Sequence, residues 1–304
     1  MLKGRFFKVW TAIGIIATMV WAVEINEANF PDPNFRAALA ELGITSENIV
    51  TRTSLWIPER SISDLTGIEH FSALTELYVQ SNQLTELNVS GNTALIVLSV
   101  GGNQLTKLDV SKNTALWSLG VSSNQLIELD VSNNTRLAVL FVDWNQLTEL
   151  DVSKNTALNR LYMGANQLTE LDVSKNTALI VLEMFSNKLN KLDVSKNTAL
   201  TSLNVAHNQL TEIDVSMLTN LESFYCSYNY ILEWRLPARP NRIEVRDWMT
   251  LPQNALDSLR LLGIINDRDR MVSNLNEQIA TLTTQRDNAN KKKCGFGRRN
   301  RGIA

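Results

Sequence analysis

Aromatic and charged side chains stand around pairs of apolar residues in a pattern that recurs every 21 residues. The twelve candidate binding residues are Tyr78, Trp117, Phe141, Asp143, Trp144, Arg160, Tyr162, Glu183, Phe185, His207, Tyr225 and Tyr228. Trp, Tyr and Arg dominate the hot spots of protein interfaces, and aromatic faces also stack on sugar rings. The pattern therefore indicates a surface that binds a protein or a glycan. The alternative is that the rings pack on neighbouring repeats or belong to an ordinary solvated surface.

The same residues offer nothing suited to catalysis. A nucleophile, a base and an orienting group must lie within reach of one another, and the two histidines, His70 and His207, fall in different repeats. No glycine-rich phosphate loop and no His-Glu-x-x-His is present. Residues 236–304 are too few and too irregular for a separate catalytic domain. We expect no enzymatic activity and no cofactor.

The repeat that positions the candidate residues reads Leu-x-x-Leu-x-Val-x-x-Asn-Gln-Leu-Thr-x-Leu-Asp-Val-Ser-Lys-Asn-Thr-Ala. Its lead leucines are Leu74, Leu95, Leu116, Leu137, Leu158, Leu179, Leu200 and Leu221. A fixed period of this form is the signature of a leucine-rich repeat solenoid. Apolar alternation at Leu77-x-Val79 in the front half and Leu87-x-Val89 in the back half predicts two short parallel strands per coil. The predicted fold is an α/β-class horseshoe of short strands and turns, with a helical N-terminal cap and a C-terminal helical tail.

Two columns of asparagine follow the apolar alternations. The front column is Asn82, Asn103, Asn124, Asn145, Asn166, Asn187, Asn208 and Asn229, and the back column is Asn92, Asn113, Asn134, Asn155, Asn176 and Asn197. Buried polar groups must be paired, so we expect these amides to satisfy backbone groups at the bends.

A column of aspartates also runs through the back halves, at Asp109, Asp130, Asp151, Asp172, Asp193 and Asp214. Aligned like charges repel, but lysines lie three residues on in several repeats, and each carboxylate can accept N–H groups of the following turn. The alternative, a calcium ladder, lacks the Gly-Gly-x-Gly-x-Asp form of calcium-binding repeats. We predict no metal site.

These motifs resemble those of the internalin-like leucine-rich repeat proteins of bacteria, in the branch with 21-residue repeats. The resemblance covers roughly residues 25–235 and includes the lead-in segments Asn29–Arg36 and Ile62–Ile68. It implies a surface or secreted module for adhesion and recognition. The front strands of leucine-rich repeats line the concave binding face. That branch often carries cysteine in a front-strand slot that only Cys226 fills here, and we expect a buried thiol.

The first residues read as a secretory signal. Lys3, Arg5 and Lys8 precede a short apolar run that ends at the small residue Ala22. This pattern predicts a secreted or cell-surface protein, and the alternative is an uncleaved membrane anchor. A net charge of −2 gives no reason to expect nucleic acid as a partner.

The expected organisation follows from these signals. At the N-terminal cap, Asp32 and Pro33 predict the start of a helix. The predicted segments are a signal peptide (1–22), a helical N-terminal cap (23–51), the solenoid (52–235, with a 22-residue lead-in coil, seven full repeats and one partial repeat), a C-terminal cap (236–262), an amphipathic helix or stalk (263–290) and a basic tail (291–304).

The tail carries six cations and, from residue 291 on, no acid: Lys291, Lys292, Lys293, Arg298, Arg299 and Arg301. It could attach to an anionic wall polymer or a membrane surface, or remain a solvated tail. Two functions therefore stand open. The first is an exported binding or adhesion module, and the second is a structural spacer or surface-layer scaffold that the tail attaches.

Overall fold

A computed structural model of the chain describes residues 23–231 and the backbone of residues 233–235 and 244–246. The predicted signal peptide, most of the C-terminal cap, the amphipathic helix and the basic tail, which includes Cys294, lie outside these residues. Within the described residues, no helix has the length and apolar character needed to cross a membrane.

The described strands are three residues long and repeat along the chain. They are β1 (Ser54–Trp56), β2 (Glu76–Tyr78), β3 (Val97–Ser99), β4 (Ser118–Gly120), β5 (Val139–Phe141), β6 (Arg160–Tyr162), β7 (Val181–Glu183), β8 (Ser202–Asn204), β9 (Glu212–Asp214), β10 (Ser223–Tyr225), β11 (Glu233–Arg235) and β12 (Glu244–Arg246). Ten of them form one parallel sheet in the order β1 to β8, β10, β12, and β9 pairs with β11. This is the leucine-rich repeat solenoid that the repeat predicts.

The register of the sheet follows from the apolar alternation. Leu55 pairs with Leu77, and Leu77 pairs with Leu98. Equivalent positions of the repeat therefore lie side by side in neighbouring strands. These central leucines are fully buried, as are the lead leucines from Leu74 to Leu200. Because no coil encloses its leucines alone, stacking creates one continuous core.

The front asparagine column ties each coil to the one before it. Asn103 Nδ2 donates to the carbonyl of Val100 in its own coil (2.9 Å) and to that of Val79 in the preceding coil (3.1 Å). Its Oδ1 accepts from the backbone N–H of Leu84, also in the preceding coil (3.0 Å). The equivalent asparagines repeat these bonds, so the predicted structural role is confirmed.

The back asparagine column has the same role with different bonds. Asn134 Nδ2 donates to the carbonyls of Val110 (3.0 Å) and Asn113 (2.9 Å), which both lie in the preceding coil. The side chain is fully buried. Its Oδ1 has no hydrogen-bond partner, and the other five members of the column repeat this arrangement.

The second strand expected in every coil is wrong for most coils. Among the described residues, back-half pairing is limited to β9 with β11 and one isolated bridge between Asn88 and Asp109. Each back half continues directly into a turn: Asp109 Oδ1 accepts from the Ser111 N–H (2.8 Å), and the Asn113 N–H bonds back to Val110. These local bonds compete with a ladder but do not exclude one, because Asp214 of β9 accepts the same bond from the Ser216 N–H (2.9 Å).

The N-terminal helix α1 (Pro33–Glu41) covers the first coil, as the sequence predicts. Asp32 caps it by accepting from the Phe35 N–H (2.9 Å), while its other oxygen accepts from the Ser63 N–H and Oγ (2.8 and 2.9 Å). Burial raises the pKa of Asp32, but the bonds from Ser63, Phe35 and Asp64 outweigh it and hold that pKa below its ordinary value. The cap therefore joins the helix to the solenoid.

Cys226 lies in the core, where 2% of its surface is exposed, and it is a free thiol. Burial raises its pKa to about 12. A thiol with so little thiolate is a weak nucleophile, which confirms the predicted buried, unreactive cysteine.

Candidate binding face

The front face comprises the outward side chains of the front strands (β1 to β8 and β10), of the residue before each strand and of the three residues after it. All twelve candidate residues lie on it. Tyr78, Phe141, Tyr162, Glu183 and Tyr225 are the third residues of their strands, Arg160 is the first residue of β6, Trp117 precedes β4, Asp143 and Phe185 follow strands by two residues, and Trp144, His207 and Tyr228 follow by three.

Six of the candidate rings meet in pairs. Phe141 and Tyr162 stack with centroids 4.6 Å apart and an interplanar angle of 14°. His207 and Tyr228 stack at 4.1 Å and 13°. These pairs join neighbouring coils, as a 21-residue period requires.

The third pair crosses two coils. Trp144 and Phe185 meet edge to face with centroids 6.4 Å apart. Phe185 reaches over the backbone of Gly164 in the coil between them. A Cβ atom at Gly164 would lie 2.2 Å from the Phe185 ring, so only glycine leaves room for this contact.

A left-handed backbone conformation recurs three residues after the strands. Trp144 (φ 56°), His207 (φ 55°) and Tyr228 (φ 54°) adopt it, and so do Ser81, Gly102, Ser123, Ala165 and Ser186. For a bulky residue this conformation is uncommon and costs about 1–2 kcal/mol. Three coils thus carry a large aromatic ring at a position where glycine would be less strained.

Asp143 is half-buried between coils. Its Oδ1 accepts from the Gly164 N–H (2.8 Å) and its Oδ2 accepts from Ser122 Oγ (3.3 Å). Burial raises the pKa of Asp143, and these hydrogen bonds offset only some of that effect.

Glu183 is half-buried on the strand next to Tyr162. Its Oε1 accepts from Ser202 Oγ (3.4 Å), and the Asn204 side chain also bonds to it. Burial raises the pKa of Glu183 above its ordinary value, and the negative charge of Asp143 raises it further. The two carboxylates therefore lie close enough to interact.

We call Phe141, Asp143, Trp144, Tyr162, Glu183 and Phe185 the central cluster. The ring pairs described above do not link any other candidate to this cluster. Ser99 and Gly120 separate Tyr78 from Phe141 in the sheet, and Trp117 is half-exposed before β4. The structure thus gathers half of the predicted set at one place.

The sequence analysis missed several residues of this face. Trp56 is 65% exposed and pairs with Tyr78 in register, and the Leu55-x-Ile57 alternation is the signal that would have found it. Ser122 and Asn204, which hold the two acids, carry no local signal because serine and asparagine are common in every repeat.

A long groove lies on the back halves of the described coils. It has a volume of about 2290 Å³ and runs from Asp64 to Met217 over a floor of repeated leucines such as Leu129 and Leu150. The front face is therefore a sheet surface with projecting side chains, and a ligand would contact it without entering an enclosed pocket.

The aspartates of the groove serve the backbone. Asp151 Oδ1 accepts from the Ser153 N–H (2.8 Å), and this bond, with the one from the Ser153 side chain, holds the pKa of Asp151 below its ordinary value. Lys154 lowers that pKa further. In the described residues no group of three or more His, Cys, Asp or Glu side chains is arranged to hold a metal ion.

Comparison with known proteins agrees with this architecture. The Leucine Rich Repeat family model matches residues 199–221. Internalin J of Listeria monocytogenes serotype 4b (strain F2365) is 40% identical over 71 residues, which are 21% of this chain and 8% of that relative. The match therefore spans a small fraction of the relative's length.

Solved structures from Listeria monocytogenes are similar as well. The functional domain of InlJ, which includes a cysteine ladder, is 31% identical with a TM-score of 0.49, over 70% of this chain and 61% of that one. Internalin C2 of strain 4b F2365 is 24% identical with a TM-score of 0.60, over 68% and 95%. The repeat, the solenoid and the family-model match show a leucine-rich repeat chain that is similar to the internalins of Listeria monocytogenes.

Proposed function

We propose that this chain is an exported binding module of the bacterial cell surface, which recognises a protein or a glycan through its front face. One observation carries the proposal. Rings and half-buried acids gather at front-face positions whose residue types differ from coil to coil, whereas the back halves repeat nearly the same residues. Extended faces of solenoids are binding surfaces, and exposed Trp and Tyr supply many interface hot spots.

The exposure of these rings supports the proposal. Trp144 is 61% exposed and Tyr228 is 57% exposed, although both hold left-handed conformations. Trp144 meets Phe185 and Tyr228 stacks on His207, and each ring still leaves more than half of its surface exposed. Rings that project in this way offer apolar area to a partner.

Export rests on the first 22 residues and on the internalin-like resemblance. A basic start, a short apolar run and a small residue at the end are the elements of a secretory signal. Expression of the full chain with and without residues 1–22, followed by cell fractionation, tests export. Retention of the full chain in the cytoplasm would contradict it.

Binding is tested with the full chain on a glycan array and on immobilised extracellular-matrix proteins. Replacing both Trp144 and Tyr162 by Ala should weaken binding tenfold or more. Tyr230→Ala is the matched control, because Tyr230 is 69% exposed but lies outside the front face. Equal binding by the double variant and the control would contradict the proposal.

The spacer function predicts a different outcome. A spacer would tolerate loss of the front-face rings and would lose its cell-surface location when residues 291–304 are deleted. Binding and cell fractionation of two variants, the Trp144 and Tyr162 double variant and the deletion of residues 291–304, therefore separate a binding module from a scaffold.

A further inference from the structure

The central cluster holds two carboxylates that no cation of the described residues neutralises. The ion pairs among the described residues are Glu41 with Arg60, Glu69 with His70, and Glu170 with Lys191. None of them involves Asp143 or Glu183. Acids removed from water are normally paired with a cation or held by several hydrogen bonds, as Asp32 is. Asp143 and Glu183 accept fewer hydrogen bonds, and burial raises their pKa values.

Neighbouring coils fix both acids firmly. Gly164 N–H and Ser122 Oγ hold Asp143 from the coils on either side, and Ser202 and Asn204 hold Glu183 from the following coil. Asp143 follows β5 by two residues and Glu183 is the last residue of β7, and these two strands are two places apart in the sheet, or about 10 Å. A single charged group can therefore interact with both carboxylates.

Aromatic rings form the walls around the acids. Tyr162 lies between the strands of Phe141 and Glu183 and stacks on Phe141, and Phe185 crosses Gly164 to meet Trp144. A cation is attracted to ring faces and to carboxylates together. A guanidinium is the best match, because it stacks on rings and donates several bonds to carboxylates.

We propose that the central cluster binds an arginine side chain of a protein partner, with Asp143 and Glu183 as acceptors and the rings as walls. This inference rests on the proposed binding function and names the chemistry recognised there. A neutral sugar would leave two desolvated charges unpaired, which favours a cationic protein side chain over a neutral glycan.

The test uses nuclear magnetic resonance on the full chain, with the Gly164 amide and Trp144 indole signals as reporters. The probes are N-acetyl-arginine methylamide, its neutral citrulline counterpart and glucosamine. We expect saturable shifts of both signals with the arginine probe, and binding at least about tenfold weaker for the citrulline probe. Equal binding of arginine and citrulline probes would overturn the proposal.

Two variants sharpen the result. Asp143→Asn with Glu183→Gln should weaken arginine binding about tenfold or more, while Glu76→Gln with Glu222→Gln removes the same charge elsewhere on the front face and should change nothing. Trp144→Ala keeps both acids and should weaken binding by about three- to tenfold. Unchanged affinity in both cluster variants, the acid double variant and Trp144→Ala, would overturn the proposal.

The remaining outcomes are also decisive. Saturation by glucosamine at a lower concentration than by the arginine probe would assign the site to an amino sugar. It would overturn the proposal that the partner is a protein. If Trp144→Ala with Tyr162→Ala abolished binding to matrix proteins while the acid variant retained it, the proposed function would stand and this inference would fall.

Discussion

The two halves of each coil follow one design and differ in what their polar groups do. In the back half, Asp151 accepts a backbone N–H and Asn134 donates to two carbonyls, so these groups stabilise the fold. In the front half, Asp143 and Glu183 are half-buried without a cation, and Trp144 holds a strained conformation. The difference teaches that the back half repeats its stabilising polar groups nearly unchanged, whereas the front half combines a stabilising asparagine column with polar and aromatic groups that differ from coil to coil.

The largest expected effect lies in the back half. Asn134→Ala should lower the free energy of unfolding by about 3 kcal/mol, because two buried carbonyls lose their donor. Its neighbour Asn133 is exposed, and Asn133→Ala should change stability by less than about 0.5 kcal/mol. Urea titration measures the free energy of unfolding of both variants. Similar losses of stability would contradict the contrast between the buried asparagine column and the exposed position beside it.

A front-face change should act in the opposite direction. Asp143→Asn with Glu183→Gln keeps acceptors for Gly164 and Ser202 but removes two desolvated charges, and it should raise the free energy of unfolding by about 1 kcal/mol at pH 7. Burial raises both pKa values in the folded state, so the folded wild type takes up protons first and gains stability as pH falls.

The gain of the acid variant is therefore full above the raised pKa values. It should vanish as pH falls through them toward the ordinary values of 3.8 for Asp143 and 4.5 for Glu183. Thermal melts of both proteins from pH 7 to pH 4 measure this difference. A variant that is less stable than wild type at pH 7 would show that the two charges support the fold.

A smaller effect should come from the residues that adopt the left-handed conformation three positions after the strands. Ser186→Gly should raise the free energy of unfolding by about 0.5 kcal/mol, since relief of strain exceeds the added freedom of the unfolded chain. The reverse exchange, Gly102→Ser, should lower it by a similar or larger amount, because a Cβ there would lie 3.3 Å from Ser81. Paired urea titrations check the signs, and equal signs would refute strain at this position.

The smallest effect concerns charge in the back half. Asp130 has no lysine three residues on, and both Asp109 and Asp151 repel it, while the bonds from Ser132 keep its pKa low. Asn133→Lys supplies the missing cation and should raise Tm slightly at low salt and not in 1 M NaCl. A gain that persists at high salt would point to packing and not to charge.

Much of the fold could be predicted from the sequence because a strict period fixes the environment of each position. Asn134 and Asp151 recur with their neighbours, so one coil explains the others. The extent of the second strand could not be predicted, since Leu87-x-Val89 has the alternation of a strand but only Asn88 of this segment forms a bridge, and β9 has the same alternation and pairs fully with β11.

The sequence predicted which residues lie on the front face, but it did not predict which of them contact one another. The period places Phe141 beside Tyr162, but the meeting of Trp144 and Phe185 spans two coils and depends on the missing side chain of Gly164. Likewise, the electrostatic effect of Asp143 on Glu183 joins residues at different positions of the repeat, in coils two apart. Trp56 was missed because its lead-in spacing is 22 residues and not 21.

The asparagine bonds also give the solenoid a direction. Asn103 and Asn134 each reach back to the coil that precedes them in the chain. A ribosome delivers the N-terminal coils first, so the carbonyls of one coil are in place before the next coil's amide emerges to meet them. Order of synthesis and order of bonding coincide, and the nascent chain can lengthen its folded region coil by coil.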